Sequence, residues 1–443
     1  MLDILGCVVT EVCAMPGAAS RLQSFAEQLL GVPLPMRIRA WDGSQAGPPG
    51  APTLVVRNRR ALRRLLWKPG ELGLARAWVA GDLGIEGDFY AALDLLSGLV
   101  WERGEDARSL TEILRDPEAR GAVRGLVGMA GLPVPPAPPR EEVTRRRRHL
   151  HTKRTDKRAV SHHYDVGNDF YELVLGPSMV YSCAYWDASG TLEGAQRDKL
   201  ELICRKLALT PGRRLLDVGC GWGSLAVHAA REHGVRVVGV TLSQEQAAYA
   251  RKRVADEGLT DRVEIRVQDY RDVTDGPFDA VSSVGMAEHV GSDQYLTYAR
   301  DLYALLKPGG RLLNHQIARR PQTDEGAYSL DGFIDAYVFP DGELAPVGTT
   351  VTQLERAGFE VRDVESIREH YALTLRRWVA NLEADWERAL RLTGPGRARV
   401  WRLYMAASAL AFEHNRLGVN QVLAVRAAES GASGLPLRAR TWN

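Results

Sequence analysis

Downstream of residue 200 the chain keeps one rhythm, in which short runs of Val, Leu and Ile alternate with longer amphipathic stretches. The short runs predict strands at 214–218, 236–241, 263–267, 280–284 and 311–317. Strands alternating with helices argue for a parallel sheet covered on both faces. One helix, 244–257, has both ends legible: Ser243 and Gln246 have capping-box spacing, and Gly258 supplies a left-handed stop. After residue 350 the pattern predicts long helices at 368–393 and 396–416, rich in Trp and Arg. Upstream, 53–57 reads as a strand, 60–67 as a basic amphipathic helix and 70–94 as alternating turns and helices. That smaller α+β region holds no cluster of His, Cys or paired acids that would suggest chemistry of its own. No run approaches the roughly 20 apolar residues needed to span a bilayer.

A proline-rich segment beginning Leu132-Pro-Val-Pro-Pro, followed by the basic run Arg145–Arg148, marks the sharpest boundary. Polyproline geometry cannot donate to a helix or sheet ladder, so it makes a spacer. The expected organisation is an accessory domain at 1–131, a linker at 132–158, a catalytic domain at 159–430 and a tail at 431–443. The 443 residues are 45% hydrophobic and 25% charged, which excludes wholesale disorder. Five cysteines (7, 13, 183, 204 and 220) are odd in number and sparse, as in a reduced, cytoplasmic protein. Asp3 stands where an export signal needs bases. His162, His163 and His289 are spaced unlike metal ligands, so no metal is expected.

Net charge is only +2, but residues 145–158 hold eight bases and one acid. The plain reading of this segment is a solvated connector. The functional reading is an anchor, because anionic membranes attract bases at roughly 1 kcal/mol each near the surface.

The sequence Asp217-Val-Gly219-Cys-Gly221-Trp-Gly223 follows a predicted strand and opens a helix. Glycines let a backbone turn tightly and approach a ligand closely. A dinucleotide fingerprint carries its acid about 20 residues after the glycines. Here the acid precedes them, and the next strand ends in Thr241-Leu242-Ser243 without one. A carboxylate at that place suits an amine-bearing ligand better than pyrophosphate. Dinucleotide binding and a turn that serves packing alone remain the alternatives.

Further motifs follow in order: His162-His-Tyr-Asp165-Val-Gly-Asn-Asp-Phe-Tyr171, Tyr181-Ser-Cys183-Ala-Tyr-Trp186, Gln268-Asp-Tyr-Arg-Asp272, Met286-Ala-Glu288-His-Val-Gly291 and Tyr337-Val-Phe-Pro-Asp-Gly342. Over about 155–425 the chain resembles the cyclopropane-fatty-acyl-phospholipid synthases and their mycolic acid relatives, within the class I S-adenosylmethionine-dependent methyltransferases. The resemblance implies a doubly wound, Rossmann-like α/β sheet with a helical lipid-binding elaboration. It also implies methyl transfer to the cis double bond of a phospholipid acyl chain, with a bound bicarbonate ion taking the last proton.

The ligands that the resemblance implies for bicarbonate are Glu288, His315 and Tyr371, with Cys183 and Ile317 contributing chiefly backbone groups. For S-adenosylmethionine it implies Tyr181, Ser182, Asp217, Gly219, Gly221, Gly223, Thr241, Leu242, Gln246, Tyr270 and Arg271. Three positions depart from the family pattern. Ala287 replaces an aromatic residue before the glutamate, Ser408 replaces a cysteine once thought nucleophilic, and Asn314 replaces a leucine. The expected partners are an unsaturated phospholipid in an anionic membrane, a second copy of the chain in a homodimer, and no nucleic acid. A peripheral site on the inner membrane face is the expected location. Two products share every motif, a cyclopropane and a 10-methylene chain that a partner reductase would then reduce. A catalytically dead lipid-binding scaffold is the non-enzymatic reading, and the intact Asp217, Glu288, His315 and Tyr371 argue against it.

Overall fold

The computed structural model describes residues 17–101, 117–131, 134–143, 166–187, 190–325, 332–340, 342–437 and 440. They belong to two units, Met1–Pro139 and Arg140–Asn443. The basic run 145–158, residues 162–165 of the first motif, Cys7 and Cys13 lie outside the described residues. Among the described residues no helix is long and apolar enough to cross a membrane.

The first unit carries strands β1 (Arg37–Arg39), β2 (Gln45–Ala46), β3 (Thr53–Val56) and β4 (Leu83–Glu86), in the order β2-β1-β3-β4. Helices α1 (Ala18–Leu30), α2 (Arg60–Trp67), α3 (Glu71–Val79), α4 (Phe89–Trp101) and α5 (Pro117–Ala130) accompany them. The basic helix forms where its pattern predicts. Its Arg64 turns inward, however, and donates to Asp82 at 2.8 Å.

The second unit is built on seven strands: β5 (Arg214–Val218), β6 (Arg236–Thr241), β7 (Val263–Val267), β8 (Phe278–Val284), β9 (Leu306–Arg319), β10 (Glu360–Ser366) and β11 (Leu417–Val425). Their order is β10-β11-β9-β8-β5-β6-β7. The five expected strands pair parallel with one another. Two further strands flank the expected helices where no element was predicted, and β11 runs antiparallel between β9 and β10. Charged residues in β10 (Glu360-Val-Arg-Asp-Val-Glu-Ser) hide its two-residue period, and β11 is a strand because β9 offers it a ladder.

Helices α6 (Asn168–Leu175), α7 (Leu192–Lys206), α8 (Ser224–His233), α9 (Gln244–Asp256), α10 (Tyr295–Ala304), α11 (Gly332–Tyr337), α12 (Val347–Arg356), α13 (Arg368–Ala384) and α14 (Trp386–Glu413) complete the unit. One buried core joins Ile203, Ala226 and Ala250 to one face of the sheet. The other joins Tyr298, Leu302 and Leu354 to the opposite face. The expected helix at 368–393 ends instead at Ala384, and α14 is interrupted at Gly394, whose φ is 78°, just before Pro395. Proline excludes the helical conformation for the residue before it. At α9, Ser243 Oγ accepts from the Gln246 N–H at 3.2 Å. The reciprocal half of the capping box is not made, because the Gln246 side chain accepts from Thr241 Oγ1 at 2.9 Å.

Behind β8 and β9 lies a buried polar ladder that absorbs the unusual Asn314. Tyr298 Oη donates to Asn314 Oδ1 at 3.0 Å and lies 2.6 Å from Ser283 Oγ. Asn314 Nδ2 donates to Gln316 Oε1 at 2.7 Å, and Gln316 Nε2 to Thr350 Oγ1 at 2.8 Å. Leaving a buried partner unsatisfied costs about 1–3 kcal/mol. Tyr298→Phe strands Ser283 and Asn314 together, so urea denaturation of this variant should show a loss of about that size.

Candidate active site

The glycine turn leaves β5 at the carboxyl end of the strands, where open α/β sheets bind ligands. Register pairs Asp217 with Ser282 of β8. Ser282 Oγ donates to Asp217 Oδ1 at 2.8 Å, while Oδ2 is buried without a hydrogen-bond partner. Burial pushes the Asp217 carboxyl up to about 6, against the pull of Ser282 and Lys199. The glycines of the turn have distinct tasks. A Cβ on Gly223 (φ 80°) would come 3.0 Å from that of Ala250, so this glycine lets α9 pack closely. Gly221 (φ 55°) lines the cleft, and a Cβ there would meet nothing within 4 Å.

Of the cofactor residues implied by the sequence, all but Gly223 line one cleft: Tyr181, Ser182, Asp217, Gly219, Gly221, Thr241, Leu242, Gln246, Tyr270 and Arg271. Arg271 is held by Asp269 at 2.6 and 2.8 Å, and its guanidinium lies over the Tyr270 ring. His289 is on the wall of this cleft as well. Lys199 also lines it, a residue that sequence reasoning missed. Its ammonium donates to Ser182 Oγ at 3.0 Å. Burial lowers the Lys199 pKa to about 8, although Cys183 and Asp217 favour its charge. The one available signal was a lysine at an inward position of an amphipathic helix.

The second group of residues gathers at the ends of β8 and β9. Glu288 sits in the 3-10 turn Ala287–His289 after β8. Its Oε1 accepts from the Ile317 N–H at 2.8 Å, and its Oε2 is buried without a partner. Burial raises the Glu288 carboxyl to about 7, against that hydrogen bond. Cys183 is a buried thiol whose Sγ lies 3.6 Å from the Ile367 carbonyl. Burial pushes its pKa well above the ordinary value, so it stays protonated. Tyr371, four residues beyond Ile367, packs on Phe412 and Trp378. Tyr181 Oη is 3.4 Å from Tyr404 Oη. Tyr404 in turn feels Glu288, and Tyr181 feels Tyr371, so these four groups share one surrounding.

His315 is oriented by a device with no local trace in the sequence. Its direct cross-strand partner is Gln421 on β11, whose Nε2 lies 3.3 Å from His315 Nδ1. The buried Lys206 ammonium donates to Gln421 Oε1 at 2.8 Å. An ammonium only donates, so it holds the amide oxygen toward itself and the amide nitrogen toward the imidazole. His315 Nδ1 therefore accepts, and the ring proton sits on Nε2. Burial first, then Lys199 and Lys206, hold the ring pKa well below its usual value, so the ring is neutral. Lys206 itself is paired with Glu365 and stands 3.8 Å from Asp363.

The description of the family whose profile matches residues 151–422 is mycolic acid cyclopropane synthetase. The chain belongs to this family. A probable fatty acid methyltransferase of Mycobacterium tuberculosis is 46% identical over 415 residues, which are 91% of this chain and 94% of that protein. The cyclopropane-fatty-acyl-phospholipid synthase of Escherichia coli K12 is 41% identical over 269 residues, 61% of this chain and 68% of that protein. A mycolic acid cyclopropane synthase solved with S-adenosylhomocysteine and CTAB superposes with a TM-score of 0.57 at 32% identity, covering 60% of this chain and 97% of that one. This cyclopropane synthase homologue is thus an S-adenosylmethionine-dependent methyltransferase with the class I fold.

Two outcomes follow for the enzyme. Asp217 is ionised, and able to attract a cationic amine, only above about pH 6. Affinity for S-adenosylmethionine should fall about tenfold per unit below that pH, and Asp217→Asn should flatten the profile. Isothermal titration between about pH 5 and 8 reads both. Gln421→Leu removes the amide that selects the His315 tautomer. Turnover should drop about 10²-fold, as misplacement of a reacting group typically costs, while cofactor affinity measured in the same titration stays unchanged.

Proposed function

We propose that this enzyme transfers the methyl carbon of S-adenosylmethionine to the cis double bond of an unsaturated phospholipid acyl chain and closes a cyclopropane ring. The observation that carries this reading is the Glu288 carboxylate, with one oxygen fixed by a backbone N–H and the other buried and unpartnered. A buried acceptor left without a partner is rare and marks a place for a ligand or an ion.

An alkene is a weak nucleophile, so the site has to align it with the sulfonium methyl and exclude water that would capture the cation. Asp217 and the glycine turn would hold the amine-bearing part of the cofactor, with Tyr270 and Arg271 lining the same cleft. Tyr171, Tyr181, Trp222, Trp378 and Trp401 pack ring against ring, with centroids 4.7 to 5.8 Å apart. Electron-rich faces favour a nearby cation and offer it no attacking atom.

Methyl transfer leaves a carbocation on the acyl chain, and loss of a proton from the new carbon closes the ring. Bicarbonate, when bound, supplies the base for that proton. The groups present suit it. Glu288 Oε2 would accept a hydrogen bond from it, His315 Nε2–H and the Tyr371 hydroxyl would donate to it, and the Cys183 backbone would add to the set. The Ile317 N–H acts through the Glu288 Oε1 that it already holds. Neutral His315 and protonated Cys183 neither repel the cation nor compete for it as nucleophiles.

A second product is favoured by two observations. Ala287, buried beside Glu288, stands where the family pattern has an aromatic ring. The relatives that match over nearly the whole chain, from M. tuberculosis and Pseudomonas putida, are named probable fatty acid methyltransferases rather than cyclopropane synthases. A hydride shift before deprotonation would give a 10-methylene chain, the substrate for a partner reductase. Both products add one CH2, so mass alone does not separate them. The enzyme would work at the cytoplasmic membrane surface, where the acyl chain is reached from an anionic headgroup layer.

The test expresses the enzyme in a host lacking this modification and examines the total lipids by mass spectrometry and proton NMR. Upfield ring protons identify the cyclopropane, olefinic protons the methylene, and unmodified acyl chains overturn the proposal. Glu288→Gln should lower turnover by about 10² to 10³, the usual cost of one preorganised electrostatic group, with cofactor affinity retained. A variant at wild-type turnover would remove Glu288 from the mechanism.

A further inference from the structure

Away from the cleft, helices α7 and α8 bring together four side chains that no part of the proposed mechanism uses. Glu201 and Cys204 lie one helical turn apart on α7. His228 lies within α8, and His233 is its last residue before the left-handed Gly234. The Cys204 thiol and one ring nitrogen from each histidine lie within 4.8 Å of one another. Glu201 Oε2 is 3.2 Å from His228 Nε2 and 2.9 Å from His233 Nε2. The other carboxylate oxygen of Glu201 accepts from Arg205 Nε at 2.8 Å, which aims Oε2 at the two rings.

We propose that Glu201, Cys204, His228 and His233 form a four-ligand structural site for a zinc ion. Thiolate, imidazole and carboxylate are the zinc donor types, and four of them make the closed tetrahedral set of a structural site. The four residues that separate His228 from His233 fall within the usual interval between zinc-binding histidines. One thiolate and one carboxylate bring two negative charges against the dication, so the buried site becomes neutral when filled. Bonds of about 2.0–2.3 Å place tetrahedral ligand atoms roughly 3.5 Å apart. Glu201 Oε2 is already near that separation from both histidine Nε2 atoms, at 3.2 and 2.9 Å, and the thiol, within 4.8 Å of the two rings, has to move inward. On binding, Cys204 gives up its thiol proton to solvent. Each histidine presents a deprotonated nitrogen to zinc and carries its proton on the other one. Glu201 exchanges its two ring hydrogen bonds for one bond to zinc.

The entry path is open at the rim, because His233 and Glu201 are part-exposed while Cys204 is fully buried. A filled site would clamp α7, which carries Lys199 to the cleft, onto α8, which begins at the glycine turn. It is a stabilising site and lies outside the catalytic groups.

The test uses the full-length enzyme, stripped with a chelator and titrated with zinc against a chromophoric competitor. One zinc per chain is expected, with a melting temperature that rises with free zinc. Cobalt in place of zinc should give an intense tetrahedral visible spectrum and a thiolate-to-cobalt charge-transfer band. Cys204→Ser should abolish that band. His233→Ala, at the rim and least disruptive of folding, should weaken zinc binding by about 10²-fold or more, beyond what losing a hydrogen-bond partner of a ligand costs. Absence of stoichiometric zinc binding overturns the proposal. So does binding by His233→Ala equal to wild type, which would place the metal elsewhere on the chain.

Discussion

The pairing of β9 with β11 is the constraint on which the site depends. Nine residues of β11, Leu417 to Val425, find their register against Arg319 to Arg311. That register puts Gln421 opposite His315, and the amide of Gln421 sets the imidazole tautomer. An imidazole buried without such a partner would expose either nitrogen indifferently. The amide would be as indifferent without Lys206, which fixes its orientation by being a pure donor. Three residues from three elements therefore define where a single proton sits. The buried ammonium is tolerable there because Glu365 and Asp363 stand beside it.

The two faces of the same strands serve different ends. On one face, His315 and the neighbouring carboxylate are left with atoms free for a ligand. On the other, Ser283, Asn314 and Gln316 are consumed in a ladder with Tyr295, Tyr298 and Thr350. The alternation of side chains along a strand makes this division unavoidable. A polar residue at 314 is costly unless its partners are present, and Tyr298 and Gln316 provide them. The departure from the family leucine is thus compensated within the fold rather than directed at the substrate.

Desolvation links the two candidate subsites. Asp217 and Glu288 are carboxyls raised toward neutrality by burial, each with one oxygen satisfied and one not. Groups held in this way are unfavourable for the fold and concentrate where charge has to be met by a ligand. A sulfonium-bearing cofactor and the proposed oxyanion are opposite in charge, and the two carboxyls stand in different surroundings. Asp217 is flanked by Lys199 and open to the cleft. Glu288 is tied to a backbone N–H beside a neutral histidine.

Much of this was readable before any coordinates. Strands β5 and β6 occupy the stretches that the apolar runs mark, because a parallel strand buried on both faces is apolar along most of its length, while the edge strand β7 is marked by the alternation of Val263-Glu-Ile-Arg-Val. The acid and glycines of the turn, and the order of the motifs, pointed to Asp217 and Glu288 through local patterns alone. The sequence did not reveal β10 and β11, since charged edge residues and a late antiparallel run carry no signal until β9 is there to pair with them. Nor did it reveal Lys199, the Lys206–Gln421–His315 alignment, or the meeting of Glu201, Cys204, His228 and His233. Each of these joins residues separated by a turn of helix, a whole helix or two hundred positions, and no local pattern encodes a contact that only packing creates. Type and periodicity were properties of the chain, whereas proton position and ligand geometry belonged to the folded sheet.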